Sequence, residues 1–204
     1  MEEINLEGLT PAVRKLNDMR EVLRDDDFAK NAPDEDLYFM YRKVKQENGL
    51  IHNITVIPAK MLGSEFIKTA GHVHMGPQQE IYTVLEGEAL FLMQKGDENE
   101  ITDCYVVKAK KGESAVIPSL YGHVTINPAN TDLKTGDWSS ETTKADYSLF
   151  KNNKGACYYY VKDAASAEGF GEPKWVKNEN YKNVPELRFE DSLKSVPEDL
   201  SFLK

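Results

Sequence analysis

Three of the four histidines in this 204-residue chain lie in one stretch, and a glutamate stands between them. His72 and His74 are two residues apart, so their side chains project from the same face of an extended strand. Glu80 follows after a turn that contains Gly-Pro, and His123 lies further along the chain. Imidazole and carboxylate donors together suit a first-row divalent metal such as iron, manganese, nickel or zinc. These four residues are therefore candidate metal ligands.

The segment that begins at Glu80 has the alternation of a β-strand. Glu80, Tyr82 and Val84 share one face of it, and the residues between them share the other face. If Glu80 faces a metal, Tyr82 lines the same cavity.

The spacing of the candidate ligands is more specific than their composition. The chain has Gly-His-x-His, five residues, Glu, six residues and Gly, and later Pro, four residues, His, three residues and Asn. This pattern resembles the two conserved motifs of the cupin superfamily, with the metal-ligand positions filled by His72, His74, Glu80 and His123. The resemblance implies an all-β cupin fold (a double-stranded β-helix or jelly-roll barrel) and one divalent metal ion per subunit. Fe²⁺ is the first expectation, with Mn²⁺, Ni²⁺ and Zn²⁺ as alternatives.

Composition narrows the classes of partner. The net charge is −9, and no cluster of lysine and arginine stands out, which argues against binding to nucleic acid or to an anionic membrane surface. Cys104 and Cys157 have no metal-type spacing and indicate no disulfide framework. The chain has neither a signal-peptide pattern nor an apolar run long enough to span a membrane. These observations predict a reduced, cytoplasmic protein.

Periodicity gives the order of the elements. Thr10-Pro11 has the features of a helix start, and Val13, Leu16, Met19 and Leu23 recur at three- and four-residue spacing, which predicts a short N-terminal helical segment. From Leu37 the period changes to two. Short strands then alternate with turns at about ten-residue intervals, which is typical of an all-β sandwich or barrel.

The predicted organisation is a single cupin domain over residues 1–204. Its metal-binding core spans about residues 50–130, and a polar C-terminal extension with scattered apolar anchors spans about residues 166–204. Residues 129–155 are polar, and no strand is predicted within them. The extension is expected to cover the barrel or to contact a partner subunit.

A narrower resemblance rests on four segments, Thr-Ala-Gly-His-Val-His at 69–74, Glu-Ile-Tyr-Thr-Val-Leu-Glu-Gly at 80–87, Ala-Leu-Phe-Leu-Met-Gln at 89–94 and Pro-Ser-Leu-Tyr-Gly-His-Val-Thr-Ile-Asn at 118–127. They look like the cupin-type glucose-6-phosphate isomerases of archaea and some bacteria. The resemblance covers roughly residues 10–165. It implies a metal-dependent enzyme that interconverts glucose 6-phosphate and fructose 6-phosphate in glycolysis and gluconeogenesis, and a homodimer is expected.

The same resemblance implies roles for individual residues. The substrate phosphate is expected at the hydroxyls of Thr55 and Thr69 and at the backbone around Gly71. Tyr82 is expected to face the sugar, and Glu80 to move the proton between C1 and C2. Either threonine is also explained by the preference of threonine for strands.

The reaction itself leaves alternatives open. Aldose–ketose isomerisation moves hydrogen between adjacent carbons and needs negative charge stabilised on oxygen, which a divalent metal can do as a Lewis acid. Glu80 can act as the base, but metal ligation lowers the basicity of a carboxylate, so a metal-assisted hydride shift remains an alternative. The same donor set also suits a non-haem iron dioxygenase, and a non-catalytic sugar-binding cupin is a third hypothesis.

Overall fold

The computed structural model describes residues 5–162 and 172–204, and most of its regular structure is β-strand. The strands are β1 (Ala12–Lys15), β2 (Asp36–Glu47), β3 (Leu50–Ile57), β4 (Met61–Leu62), β5 (Glu65–Phe66), β6 (His72–His74), β7 (Glu80–Glu86), β8 (Glu88–Gly96), β9 (Ile101–Lys110), β10 (Ser114–Ile117), β11 (Gly122–Ile126), β12 (Leu133–Ser140), β13 (Ala145–Asp146), β14 (Tyr158–Lys162), β15 (Pro173–Lys177) and β16 (Arg188–Glu190). The α-helices are α1 (Asp26–Asn31) and α2 (Ser148–Asn152). No helix of the described residues is long and apolar enough to cross a membrane.

Two six-stranded sheets share the main core. One has the strand order β1-β2-β3-β12-β7-β10, and the other has the order β13-β6-β11-β8-β9-β16. Between β6 and β12 the chain passes repeatedly from one sheet to the other, which is the connectivity of a double-stranded β-helix. A smaller four-stranded sheet, β15-β14-β5-β4, stands beside them. The predicted all-β cupin fold is confirmed.

The strongest apolar run in the sequence becomes a central strand. β8 pairs with β9 on one side and with β11 on the other. Its residues from Ala89 to Gln94 are all buried. A strand covered on both faces has no need of polar alternation, so a continuous apolar run is its expected sequence pattern.

The predicted N-terminal helix over residues 10–23 is wrong. Its first part is the strand β1, which pairs with β2, and Val13 is exposed on it. Two short 3₁₀ turns follow β1, Leu16–Asp18 and Arg20–Val22, and the apolar residues in and next to them are buried. Spacings of three residues fit a 3₁₀ turn as well as an α-helix, so the pattern alone did not separate the two.

The first α-helix, α1, begins in the acidic run that follows Leu23. Asp25, in the charged run after Leu23, accepts a hydrogen bond from the backbone N–H of Phe28 at 2.9 Å and so caps α1. Aspartate at this position satisfies an N–H group that lacks a partner within the helix. The acidic run is therefore the start of a helix and not only a solvated segment.

The polar segment over residues 129–155 contains a strand that the sequence did not predict. β12 pairs with β3 over its whole length and with β7 on its other side, so it lies in the middle of a sheet. Its side chains Thr135, Asp137 and Ser139 are nevertheless buried. Polar residues on a central strand indicate a polar cavity next to it.

The C-terminal residues of the chain pack on the barrel. β16 adds a parallel strand to the edge at β9, and β15 pairs with β14. Leu203 is fully buried in a small cluster with Leu50 and Ile81. Covering the barrel was one of the two expectations for the extension, and the part of it before residue 172 lies outside the described residues. Cys104 and Cys157 are free and buried.

His52 makes stability depend on pH. Its ring stacks on Trp138 with 4.7 Å between ring centroids. Burial and the nearby charge of Lys45 lower the pKa of His52 from 6.5 to about 4. Between these values the unfolded chain binds a proton that the folded chain does not, so stability falls as the pH falls from 6.5 towards 4. We expect a loss of about 1–3 kcal/mol from this residue.

This loss is measured by thermal unfolding of the wild-type protein and of His52→Gln between pH 7 and pH 4.5. The unfolding midpoint of the wild-type protein should fall more steeply than that of the variant. Parallel curves would show that His52 does not titrate differently in the two states.

Candidate metal centre

The four candidate ligands come from three strands in the two facing sheets. His123 on β11 is the direct cross-strand partner of His72 on β6, so their rings lie side by side. His74 is two residues further along β6, and Glu80 begins β7 in the opposite sheet. Each residue offers one ligand atom, and these atoms all lie within 4.8 Å of one another. The structure therefore brings together all four residues predicted as ligands.

Glu80 is the centre of this group. Its Oε2 atom lies 3.3 Å from Nε2 of His74 and 3.4 Å from Nε2 of His123. The Nδ1 atom of His74 lies 3.0 Å from the carbonyl oxygen of Gln78. When that nitrogen donates to the carbonyl, Nε2 is left as the acceptor that faces the group.

Two glycines next to the histidines allow this approach. Gly71 has φ +78°, and a Cβ atom there would lie 2.5 Å from the side chains of both Phe150 and Val124. A Cβ atom on Gly122 would lie 2.8 Å from the ring of Phe150. The buried ring of Phe150, which lies in α2, thus packs against both glycines. This packing explains why each of these histidines follows a glycine.

The electrostatics of the group keep two imidazoles neutral and the carboxylate ionised. Burial lowers the pKa of His72 to about 4 and lowers that of His123 well below its usual range. Burial alone would raise the pKa of Glu80, but the neighbouring imidazoles of His74, His123 and His72 lower it overall. Neutral imidazole and ionised carboxylate are the protonation states that bind metals.

The site fits a divalent metal. Glu80 Oε2 is buried without a hydrogen-bond partner, although buried polar atoms are nearly always paired. Metal–ligand bonds of about 2.0–2.2 Å place neighbouring donors roughly 3–3.5 Å apart, which agrees with the two distances at Glu80. Three imidazoles and one carboxylate leave a divalent ion with a net charge of about +1.

Asp137 is a buried carboxyl group beside Glu80 that the sequence analysis missed. It is 2% exposed and accepts a hydrogen bond from Nδ2 of Asn53 at 2.7 Å. Burial and the charge of Glu80, with which it shares a hydrogen bond, raise the pKa of Asp137 well above its usual range. The raised pKa favours the neutral form of Asp137, and a neutral carboxyl group can donate a hydrogen bond to Glu80. The alternation of Thr135, Asp137 and Ser139 was the signal that could have identified it.

Because Asp137 is neutral, its replacement by asparagine should be tolerated. An asparagine can still accept from Asn53 and donate to Glu80, so we expect Asp137→Asn to change the free energy of unfolding by less than about 1 kcal/mol. Asp137→Ala leaves buried groups unpaired and should cost about 1–3 kcal/mol. Urea unfolding of both variants measures the difference. A larger loss for asparagine than for alanine would contradict the neutral state.

The residues predicted to contact substrate line one cavity of about 300 Å³ above the candidate ligands. The cavity volume is at the lower end of the range for small-molecule sites. It is lined by all four of the predicted residues, namely Thr55, Thr69, Gly71 and Tyr82. The Tyr82 hydroxyl lies 3.3 Å from Nε2 of His123, and Thr69 Oγ1 accepts a hydrogen bond from the backbone of Thr125 at 3.0 Å.

Positive charge at the cavity was also missed. Arg14, Arg42 and Lys43 line it, on the two edge-side strands β1 and β2. The alternation of Tyr38, Met40 and Arg42 on one face of a strand was the available signal. An arginine at the end of an apolar face is commonly a solvated residue, so this alternation alone does not indicate a cavity.

Comparisons with known proteins agree with the resemblance found in the sequence. The family model described as glucose-6-phosphate isomerase matches residues 13–181. A protein named glucose-6-phosphate isomerase from Thermococcus kodakarensis is 24% identical over 173 residues, which cover 82% of this chain and 89% of that protein.

Solved structures with cupin folds match about half of this chain. An oxalate oxidase in complex with the substrate analogue glycolate has a TM-score of 0.39 and 20% identity, over 48% of this chain and 46% of the oxidase. A protein from Shewanella frigidimarina that contains a cupin-2 domain has a TM-score of 0.34 and 16% identity, over 49% of this chain and 78% of that protein.

Proposed function

Because the chain belongs to the glucose-6-phosphate isomerase family, matched over residues 13–181, we propose that it interconverts glucose 6-phosphate and fructose 6-phosphate. The observation that carries this proposal is the group of three histidines and one glutamate whose ligand atoms lie within 4.8 Å of one another. In the proposed enzyme this group is the metal centre, and the adjoining cavity binds the sugar phosphate.

The proposed metal ligands are His72, His74, Glu80 and His123. A divalent ion held there would supply Lewis-acid stabilisation of the negative charge that develops on the oxygens at C1 and C2 of the sugar. Fe²⁺ is the first candidate, and Mn²⁺, Ni²⁺ and Zn²⁺ have compatible ligand preferences. The Oε2 atom of Glu80, which is buried without a hydrogen-bond partner, supports the assignment.

Glu80 is proposed to move the proton between C1 and C2. Its carboxylate lines the cavity, and the oxygen that does not bind the metal can accept a proton from a C–H group of bound sugar. Asp137 is proposed to donate a hydrogen bond to Glu80 and to hold its carboxylate in place. A hydride shift remains the alternative path for the same isomerisation, and in that path Glu80 acts only as a ligand.

The proposed substrate contacts lie at two ends of the cavity. Tyr82 stands beside His123, so its hydroxyl can contact the hydroxyls of the sugar near the reacting carbons. Thr55, Thr69 and the backbone at Gly71 line the same cavity and are proposed to contact the phosphate. Hydroxyl and backbone N–H groups are suitable donors for phosphate oxygens.

The proposal is tested by the conversion of fructose 6-phosphate to glucose 6-phosphate, detected with a coupled dehydrogenase. Protein stripped with a chelator should be inactive, and addition of Fe²⁺, Mn²⁺, Ni²⁺ or Zn²⁺ should restore turnover and rank the ions. The absence of turnover with every ion would overturn the isomerase function.

Three further predictions go with this proposal. They are a place in glycolysis and gluconeogenesis, a cytoplasmic location and a homodimer. The oligomeric state is measured by light scattering coupled to size-exclusion chromatography, and a mass of about twice the 23.1 kDa chain is the expected result.

A further inference from the structure

Three cationic side chains stand together at the cavity of a chain that is acidic overall. The net charge of the chain is −9, yet Arg14, Arg42 and Lys43 all line this one cavity. The carboxyl groups that line it or adjoin it, Glu80 and Asp137, are buried. Cations gathered at a cleft attract an anionic ligand more strongly than the net charge of the protein repels it.

The backbone of β2 is shaped to present these side chains. The pairing of β2 with β3 shifts between Tyr41 and Lys45, and Lys43 has φ +53° within this bulge. The backbone N–H of Lys43 donates to the side chain of Asn53 at 3.0 Å. Bulges re-aim side chains and are frequent next to functional sites. The strained backbone of Lys43 is held by the buried side-chain amide of Asn53. We take this as evidence that the fold fixes the positions of Arg42 and Lys43.

Arg42 follows a residue that pairs with Thr55, one of the two threonines. Met40 is the cross-strand partner of Thr55, and Arg42 follows Met40 by two residues, so Arg42 and Thr55 share a face of the sheet. Both residues line the cavity.

Arg14 reaches the other threonine through a tyrosine. Its guanidinium is hydrogen-bonded to Tyr38, whose hydroxyl accepts a hydrogen bond from the backbone of Ala70 at 3.2 Å. The Arg14 side chain also packs on the ring of Tyr147, at 5.7 Å from its centroid. Ala70 stands between Thr69 and Gly71, so Arg14 lies beside the segment proposed to contact phosphate.

Neither arginine is neutralised by a carboxylate in the described part of the chain. Within residues 5–162 and 172–204, no aspartate or glutamate oxygen lies within 4.0 Å of the guanidinium nitrogens of Arg14 or Arg42. Arg42 donates only to the sulfur of Met40 at 3.0 Å, and Nε of Arg14 is buried without a partner. Arg188, by contrast, is paired with the carboxylates of Asp103 and Glu190.

We propose that Arg42 and Arg14 form a clamp for the phosphate of the substrate, and that Arg42 makes the site select a phosphorylated sugar over a neutral one. This inference rests on the proposed isomerase function and adds residues to it. Guanidinium groups present paired N–H donors that match phosphate oxygens, so two unpaired arginines beside two threonine hydroxyls give a dianion several charge-assisted hydrogen bonds.

The test measures binding without requiring turnover. Sorbitol 6-phosphate carries the phosphate but no carbonyl group, so it cannot be isomerised, and sorbitol is its neutral counterpart. Both are titrated by calorimetry into the wild-type protein, Arg42→Gln, Arg42→Lys and Lys45→Gln. Lys45→Gln is the matched control because it removes one positive charge from the same strand at a residue that does not line the cavity.

Arg42→Gln should weaken the affinity for sorbitol 6-phosphate by about 10- to 100-fold, and Lys45→Gln should change it by less than about 2-fold. Arg42→Lys should restore part of the loss, since lysine keeps the charge but not the paired donors. In the isomerase assay, Arg42→Gln should raise KM by a similar factor and change kcat by less than about 3-fold.

The inference is overturned if Arg42→Gln binds sorbitol 6-phosphate as tightly as Lys45→Gln does, or if the wild-type protein prefers sorbitol. The outcomes also separate this inference from the proposed function. Tight, Arg42-dependent binding of sorbitol 6-phosphate by a protein without isomerase activity would leave the clamp in place and refute the isomerase. Isomerase activity that is unchanged in Arg42→Gln would refute the clamp alone.

Discussion

Replacement of His123 by glutamine is expected to lower kcat for fructose 6-phosphate by about 10³-fold, because loss of the metal removes several kcal/mol of transition-state stabilisation. The ring of His123 is 2% exposed and lies within 3.4 Å of the carboxylate of Glu80, so no other side chain can replace it as a ligand without rearrangement. Bound metal should fall with it, from one ion per chain to below about 0.1 after gel filtration. Elemental analysis and the coupled assay measure the two effects on the same sample.

His52→Gln is the matched control for this variant. It removes the fourth histidine of the chain, which stacks on Trp138 outside the group of candidate ligands. The control should keep both its metal and its activity at neutral pH. If His123→Gln keeps a full complement of metal, or if the control loses as much, the assignment of the ligands is contradicted.

Replacement of Glu80 by glutamine is the second large effect that we expect. Glutamine keeps the shape of the side chain but cannot accept a proton from carbon, so kcat should fall by about 10²- to 10⁴-fold. The three histidines remain in the variant, and we therefore expect it to bind metal, although more weakly. Comparison of kcat at saturating metal separates the loss of the base from the loss of a ligand.

The fate of the transferred hydrogen gives an independent reading of the same residue. If Glu80 carries the proton, isomerisation in D₂O should place deuterium at C2 of glucose 6-phosphate, because a carboxylic acid exchanges with solvent. Magnetic resonance of the product measures this incorporation. Full activity of Glu80→Gln, together with a product free of deuterium, would refute Glu80 as the base and favour the hydride shift.

The candidate site was predictable because the types and spacing of its residues form a recognisable pattern. His72 and His74 are close neighbours on one short strand, and the ring of Phe150 requires the glycines that precede His72 and His123. Type and spacing therefore sufficed to predict the ligand group. The strands around it were predictable for a similar reason, since β3 and β8 carry a strong β pattern between clear turns.

The rest depended on contacts that the sequence does not contain. β12 has few apolar residues, and it is a central strand because β3 and β7 pair with it on both sides. Asp137 is neutral only because that pairing buries it next to Glu80. The first part of the predicted helix is the strand β1 because it pairs with the edge of β2, although its apolar spacing also fits a helix. Tertiary pairing outweighed local pattern in each case.

The most direct test of the central claim is a titration of metal into chelator-stripped protein, with bound metal and isomerase rate measured on the same samples. The proposed centre predicts that the rate rises in proportion to bound metal and stops rising at about one ion per chain, as expected for one group of four ligands. A rate that is independent of metal, or metal bound at this stoichiometry without any isomerisation, would contradict it.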